Sequence, residues 1–312
     1  MGTSGSRSRA RTVEAGAGDA GQRIDNYLMR MLRGVPRGHV YRLLRRGEVR
    51  INGGRARPHR RLNAGDQVRL PPVADERHAE GRLPPHLIER LRGAVVYEDE
   101  RVLVVDKPAG IAVHAGSGLG GGLIDGLREL RPDLPDLSLV HRLDRETSGL
   151  LLLARDRHTL KELQDGMRAR AIEKVYQAVL LGDWTGPVRT VEAPLRRDVR
   201  RGNERVVRVD AVAGQSASSR FRRLAAARGL TRVEVTITTG RTHQIRVHAA
   251  YMGHPIVGDT KYGQRRAERE RLGRQPERLM LHATRLRFVL GDEEIAVESP
   301  PPALFDTLVG GS

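Results

Sequence analysis

The chain has no cysteine among its 312 residues. Disulfides and thiolate-ligated metals are therefore excluded. Aromatic residues are scarce, at 3%, so a core must come mostly from Leu, Val, Ile and Ala within the 38% hydrophobic content. No apolar run approaches the ~20 residues that cross a bilayer, and no N-terminal apolar segment reads as a secretory signal. No long basic amphipathic segment points to a membrane surface. These absences lead us to expect a soluble cytoplasmic protein without a membrane partner. What the chain has in excess is positive charge: 55 Lys and Arg against 38 Asp and Glu, a net +17. The isoelectric point is near 11.2. Such an excess implies a polyanionic partner, with nucleic acid the first candidate.

The charge is unevenly spread. Residues 21–73 hold 13 arginines and 3 acids. Within them Ile24, Leu28, Met31 and Leu32 fall at helical spacing, and Gly34 and Pro36 break that helix. Val40, Leu43 and Leu44 share a face of a second helix that Gly47 ends. Val49 and Ile51 form a short strand, Asn52-Gly53 is a turn signal, and Val68-Arg69-Leu70 reads as another strand. Residues 1–20 are mostly Gly, Ser, Ala and Arg, with almost no large apolar residues, and are expected to form a disordered basic tail. Residues 74–92 are polar and proline-bearing and read as a linker, with a short helical turn at Leu87–Leu91. From 93 to 312 the texture is that of one larger domain, opening with β-branched runs at Val95–Tyr97 and Val102–Val105.

The larger domain is organised around His141-Arg142-Leu143-Asp144-Arg145-Glu146-Thr147-Ser148-Gly149-Leu150, running on through Leu151, Leu152 and Leu153 to Ala154. A charged loop enters an unbroken apolar run, which reads as a fully buried strand. Thr147, Ser148 and Gly149 fit a tight turn into it. Asp144 has arginines on both sides, and nearby cations favour the ionised carboxylate. Taken alone, this is also the pattern of a surface Asp–Arg loop solvating a strand end. Downstream, Thr159–Arg170 reads as a helix and Glu173–Leu180 as a strand carrying Tyr176. Pro194–Asn203 is a basic loop, and 264–278 an arginine-rich surface insertion. Gly116–Gly122 is a flexible loop that could close over RNA, without the Gly-Lys-Ser/Thr of a phosphate loop. In Gly240-Arg241-Thr242-His243-Gln244-Ile245-Arg246-Val247-His248, a helical reading puts Thr242 with Arg246 and Gln244 with His248. The two histidines lack a companion acid and a third-ligand spacing, so no metal is expected.

The run His-Arg-Leu-Asp-x-x-Thr-Ser-Gly-Leu resembles, position for position, the catalytic motif of the pseudouridine synthases that act on ribosomal RNA and tRNA. Lys107-Pro108-Ala109-Gly110, Lys174-x-Tyr176-x-Ala178, Gly240-Arg241-x-His243-Gln244-Ile245-Arg246 and His254–Asp259 continue the resemblance. It implies an α+β fold with a mainly antiparallel sheet, and Asp144 as the catalytic residue. It also implies Tyr176 as the active-site tyrosine, Arg246 as the partner of Asp144, and Arg142 as the residue that opens the RNA. Residues 21–73 resemble the small RNA-binding domain named after ribosomal protein S4. There Arg37, Arg42, Arg45, Arg46 and Arg50 are the expected phosphate contacts, because guanidinium pairs bidentately with phosphate oxygens. Gly34–Arg37, Val40–Arg42 and Gly47–Arg50 resemble the C-type branch, whose expected substrate is 23S ribosomal RNA or a large-subunit assembly intermediate. A monomer without cofactor or metal is expected. A sibling synthase acting on another rRNA or tRNA uridine, and a non-catalytic ribosome-assembly factor, are the competing readings.

Overall fold

The structure, a computed structural model, describes residues 10–32, 35, 37–72, 83–114, 121–201 and 204–310. The described residues fall into two compact units, one N-terminal to residue 73 and one from Leu83 onward.

The smaller unit comprises β1 (Arg11–Glu14), α1 (Ile24–Met31), α2 (Arg37–Arg46), β2 (Arg50–Ile51), β3 (Gly54–Arg55) and β4 (Gln67–Leu70). Its sheet order is β1-β4-β2-β3. Ile24, Tyr27 and Leu28 of α1 and Val40, Leu43 and Leu44 of α2 bury against Val49, Ile51, Leu62, Val68 and Leu70. Asn52 and Gly53 take φ of 50° and 77°, as a two-residue loop between paired strands requires. Residues 11–14 do not belong to a disordered tail. They pair in full with β4, Val13 opposite Val68, and Val13 and Ala15 join the apolar cluster. Two small apolar residues among Gly and Arg carry little pattern, so the ladder that orders them is invisible locally.

Residues 73–82, which include the first nine residues of the expected linker, lie outside the described residues. The rest of it is α3 (Pro85–Arg92), whose Leu91 is fully buried in the core of the larger unit. That unit continues with β5 (Val95–Glu98), β6 (Val102–Lys107), α4 (Leu123–Leu130), β7 (Ser138–Leu139), β8 (Ser148–Ala154), α5 (Arg157–Arg168) and β9 (Glu173–Leu181). Next come β10 (Val188–Glu192), β11 (Leu195–Arg201), β12 (Glu204–Val209), β13 (Ser218–Ala227), β14 (Leu230–Ile237) and α6 (Gln244–Tyr251). It ends with α7 (Arg265–Leu272), β15 (Leu281–Leu290), β16 (Glu293–Glu298) and α8 (Leu304–Val309). One sheet runs β10-β13-β14-β9-β15-β8-β6-β5, with β16 on β15 and β7 on β8. Only the β15–β8 pairing is parallel among its described pairings. This is the mainly antiparallel α+β architecture expected.

All seven residues of β8 are buried. Leu151 and Leu153 enter the cluster of Leu103 and Val105. Leu150 and Leu152 enter the opposite one, with Val102, Val104 and Phe288. Both faces are covered, which is why the strand reads as a continuous apolar run.

Two stretches expected as loops are ordered elements. The basic loop at 194–203 is largely β11, paired with β12. Leu195 and Val207 pack against Val247 of α6, while the arginines between them hide the alternation. Much of the 264–278 insertion is α7, ended by Gly273 at φ 70°, the left-handed cap that glycine favours. Its surface is charged, Arg266 pairing with Glu270 at 2.8 Å, while Ala267 and Leu272 pack against the core and Glu268 is buried. The Gly116–Gly122 loop falls mostly on residues outside those described.

Candidate active site

Asp144 occupies a turn just before β8, closed by the Thr147 N–H donating to the Asp144 carbonyl at 3.2 Å. Leu143 and Thr147 are buried on either side, while the Asp144 side chain keeps 17% exposure. His141 pins the start of the loop. Its Nε2 accepts the Leu152 N–H at 3.1 Å, and burial pushes the ring down to about 3, so it is neutral. Gly149 lies inside β8, not in the turn. Its φ is +105°, and a Cβ there would meet the Ala283 carbonyl oxygen at 2.3 Å. Glycine is needed for the close approach of β8 to β15.

Lys107 ties the Lys-Pro-x-Gly segment to the same loop. Its Nζ donates to the carbonyls of Pro108, Ile111 and Arg145, each at 3.0 Å. Three carbonyls match the three protons of an ammonium, against a burial that pushes the amine down to about 7. Arg145 adds an Nε donation to the Gly110 carbonyl at 2.9 Å. At the other end of the turn, Ser148 Oγ accepts Arg278 Nη2 at 2.5 Å and lies 2.7 Å from His282 Nδ1.

Arg246 reaches Asp144 from α6, its Nη1 3.6 Å from Oδ2. Its hydrogen-bonded partner is a different acid. Nε and Nη2 donate to the two oxygens of Asp259 at 2.8 and 2.7 Å. Both side chains are buried, at 4% and 0% exposure. Guanidinium has donors enough to fork onto Asp259 and still present Nη1 to Asp144. It also lies over the Tyr262 ring, 5.2 Å from the centroid.

α6 begins at Gln244, so Thr242 does not share a helical face with Arg246. Gln244 and His248 do share one: Gln244 Nε2 and His248 Nδ1 reach Ser219 Oγ at 3.0 and 2.9 Å. His248 Nε2 faces the Ala193 carbonyl at 3.0 Å. His243, just before the helix, is left-handed at φ 54°. Its Nε2 is 4.0 Å from Asp144 Oδ2, and its Nδ1 is 2.7 Å from Tyr262 Oη.

Tyr176 lies in β9 between Val235 of β14 and Ala283 of β15. Burial, and then the charge of Asp144, lift its hydroxyl well above the usual phenol range. It keeps its proton at neutral pH. Arg142 is exposed on the loop. In the N-terminal unit Arg42, Arg45, Arg46 and Arg50 are all exposed; the side chain of Arg37 lies outside those described. Arg42, Arg45 and Arg46 line the face of α2 opposite Val40, Leu43 and Leu44. Asp144, Tyr176 and Arg246 stand out in the sequence. His243, Asp259 and Tyr262 carry no role there, although His243 and Asp259 stand in the resembling segments.

One carboxylate at a strand end thus faces a buried arginine and an imidazole, and its charge reaches the protonated phenol of Tyr176. The family profile of RNA pseudouridylate synthases matches residues 101–251, and that of the S4 domain matches residues 22–68. The chain belongs to the RNA pseudouridylate synthase family and carries an S4 domain ahead of the catalytic one. Ribosomal large subunit pseudouridine synthase C of Salmonella typhimurium is 46% identical over 280 residues, 88% of this chain and 88% of that protein. The protein of the same name from Escherichia coli K12 is 46% identical over 276 residues, 87% of this chain and 86% of its own. Among solved structures, human RNA pseudouridylate synthase domain containing 1 superposes with a TM-score of 0.59 at 27% identity, covering 73% of this chain and 91% of that one. Human RNA pseudouridylate synthase domain containing 4 gives 0.58 at 26%, covering 70% and 93%.

Proposed function

We propose that this synthase isomerises uridines in large-subunit, 23S ribosomal RNA, as a C-type enzyme, with Asp144 as the carboxylate that acts at the ribose. The observation that carries the reading is the placement of Asp144. It stands on a loop pinned at both ends, with Arg246 and His243 facing the same oxygen, Oδ2. The other oxygen, Oδ1, is then the one assigned to the sugar. Glycosidic cleavage develops oxocarbenium-like charge, which a carboxylate stabilises or traps. Asp144 acts in one of two ways: it adds to the ribose, or it removes a ribose proton to give a glycal. In both, uracil leaves, turns and reattaches through carbon. Tyr176 presents a ring for the displaced base to stack on and a hydroxyl that can carry a proton. Arg142 helps to displace the target from its stack, which costs a few kcal/mol and least in unpaired RNA.

The S4 domain supplies affinity by neutralising phosphates. Replacing Arg42, Arg45 and Arg46 together by Ala weakens RNA binding and lowers the salt slope by about one unit for each phosphate no longer neutralised. The single-turnover rate at saturating RNA stays near that of the parent. A binding curve and salt slope unchanged in a titration would remove the role given to α2.

The reading is tested by incubating the protein with unmodified 23S rRNA and mapping pseudouridines by chemical sequencing. Discrete modified sites support it. Modification confined to tRNA or another rRNA identifies a sibling specificity, and binding without modification defeats the enzymatic reading.

A further inference from the structure

We propose that His243 is a positioning residue for the reaction, a neutral imidazole whose Nε2–H holds Asp144 Oδ2 in place, with Tyr262 deciding which ring nitrogen carries the proton. This rests on Asp144 being the acting carboxylate.

The chain of donors begins at the backbone. The Val207 N–H donates to Tyr262 Oη at 3.0 Å. Burial lifts the Tyr262 phenol, so it keeps its own proton. That proton has an acceptor 2.7 Å away, His243 Nδ1. A neutral imidazole has one N–H, and with Nδ1 accepting it must sit on Nε2. Nε2 is the nitrogen that faces Asp144, at 4.0 Å from Oδ2. Such distances commonly shorten when substrate completes a site. The ring plane is fixed as well, edge-on to Tyr262 at 69° with centroids 5.5 Å apart.

The surroundings keep the ring neutral. The groups facing it are Asp144 from the catalytic loop, Arg246 from α6, and Asp259, Lys261 and Tyr262 from the segment after α6. Burial disfavours the imidazolium, and Arg246 and Lys261 add to that. Asp144 and Asp259 oppose them without reversing the sign. Asp144 thus meets one permanent cation and one neutral donor on the same oxygen. The donor orients the carboxylate without a second positive charge to blunt it. The backbone of His243 is held at φ 54° and ψ 20°, an uncommon conformation for a non-glycine residue. It places the ring beside Asp144 one residue before α6 begins.

The test compares His243→Ala, His243→Gln and Asp144→Asn by single-turnover rate, RNA affinity and pH profile. His243→Ala is expected to slow the single-turnover rate about 10- to 100-fold while RNA affinity stays within about twofold. His243→Gln recovers most of the rate, because its amide N–H reaches about as far as Nε2. In the parent, protonating His243 reverses the Tyr262 bond, with Nδ1–H now donating to Oη, and adds a cation beside Asp144, so the rate drops at a step below the ordinary imidazole value of 6.5. His243→Gln lacks that step. If His243→Ala does not fold, the Gln profile still decides. A parental rate in His243→Ala overturns the proposal, and so does an acid step that persists in His243→Gln. Activity in Asp144→Asn removes the acting role of Asp144 on which the proposal rests. A dead Asp144→Asn beside a normal His243→Ala removes only the role of His243.

Discussion

Replacing Asp144 by Asn abolishes pseudouridine formation, with the single-turnover rate falling by roughly four orders of magnitude. The substitution keeps shape and removes charge. The turn survives it, because the bond that closes the turn uses the Asp144 backbone carbonyl, accepting from the Thr147 N–H. The side chain is not a core element, at 17% exposure, so stability should move by less than about 1 kcal/mol. What is lost is the anion. An amide can neither trap an oxocarbenium-like centre nor take a ribose proton. RNA affinity should stay within about threefold, a change of less than about 1 kcal/mol. The measurement pairs quantitative pseudouridine mapping with RNA binding on one preparation. An Asn variant that works at a parental rate would remove Asp144 from the chemistry.

Asp259→Asn produces the largest loss of stability. Asp259 and Arg246 are joined by two short bonds with both side chains buried. Taking one member from such a pair leaves an uncompensated buried charge and costs about 3–5 kcal/mol. Activity falls with it, since Arg246 loses the anchor that aims Nη1 at Asp144. Burial on its own would raise the Asp259 carboxyl. The bonds and charge of Arg246, with the N–H groups of Tyr262 and Lys261, outweigh it and hold the group below the ordinary 3.8. A depressed folded value means the contribution is fully present above 3.8 and is lost as pH falls through the lowered value. Urea unfolding should therefore separate the parent from the variant at neutral pH and bring the two curves together in strong acid. A variant unfolding within about 1 kcal/mol of the parent at neutral pH would contradict this account.

The sequence showed those parts of the fold whose signal is local. The seven apolar or small residues of β8 announce a strand covered on both faces. The helix expected from Thr159 is α5, opened two residues earlier by Asp156, whose Oδ1 accepts the Thr159 N–H at 2.9 Å. Asp144, Tyr176 and Arg246 were findable because each stands inside a recognisable run. Asp259 was not readable as the main partner of Arg246. The two lie 13 residues apart, and only the path of the chain after α6 brings them together. The tautomer of His243 depends on Tyr262, a further neighbour set by tertiary path. β1, β11 and α7 were missed for a common reason. Charged or small residues fill most of their positions, so the apolar pattern that marks a strand or a helix face is thin there.

β15 has a consequence for the order in which the protein becomes active. Although late in the chain, it lies between β8 and β9 in the sheet. Ser148 and Gly149 pair with it on one side, and Tyr176 on the other. A growing polypeptide has all of its reactive groups well before residue 281, yet the two halves bearing Asp144 and Tyr176 have no shared strand until then. Synthesis on the ribosome thus postpones the joining of those two halves to the final stretch of translation, once Leu281–Leu290 has emerged.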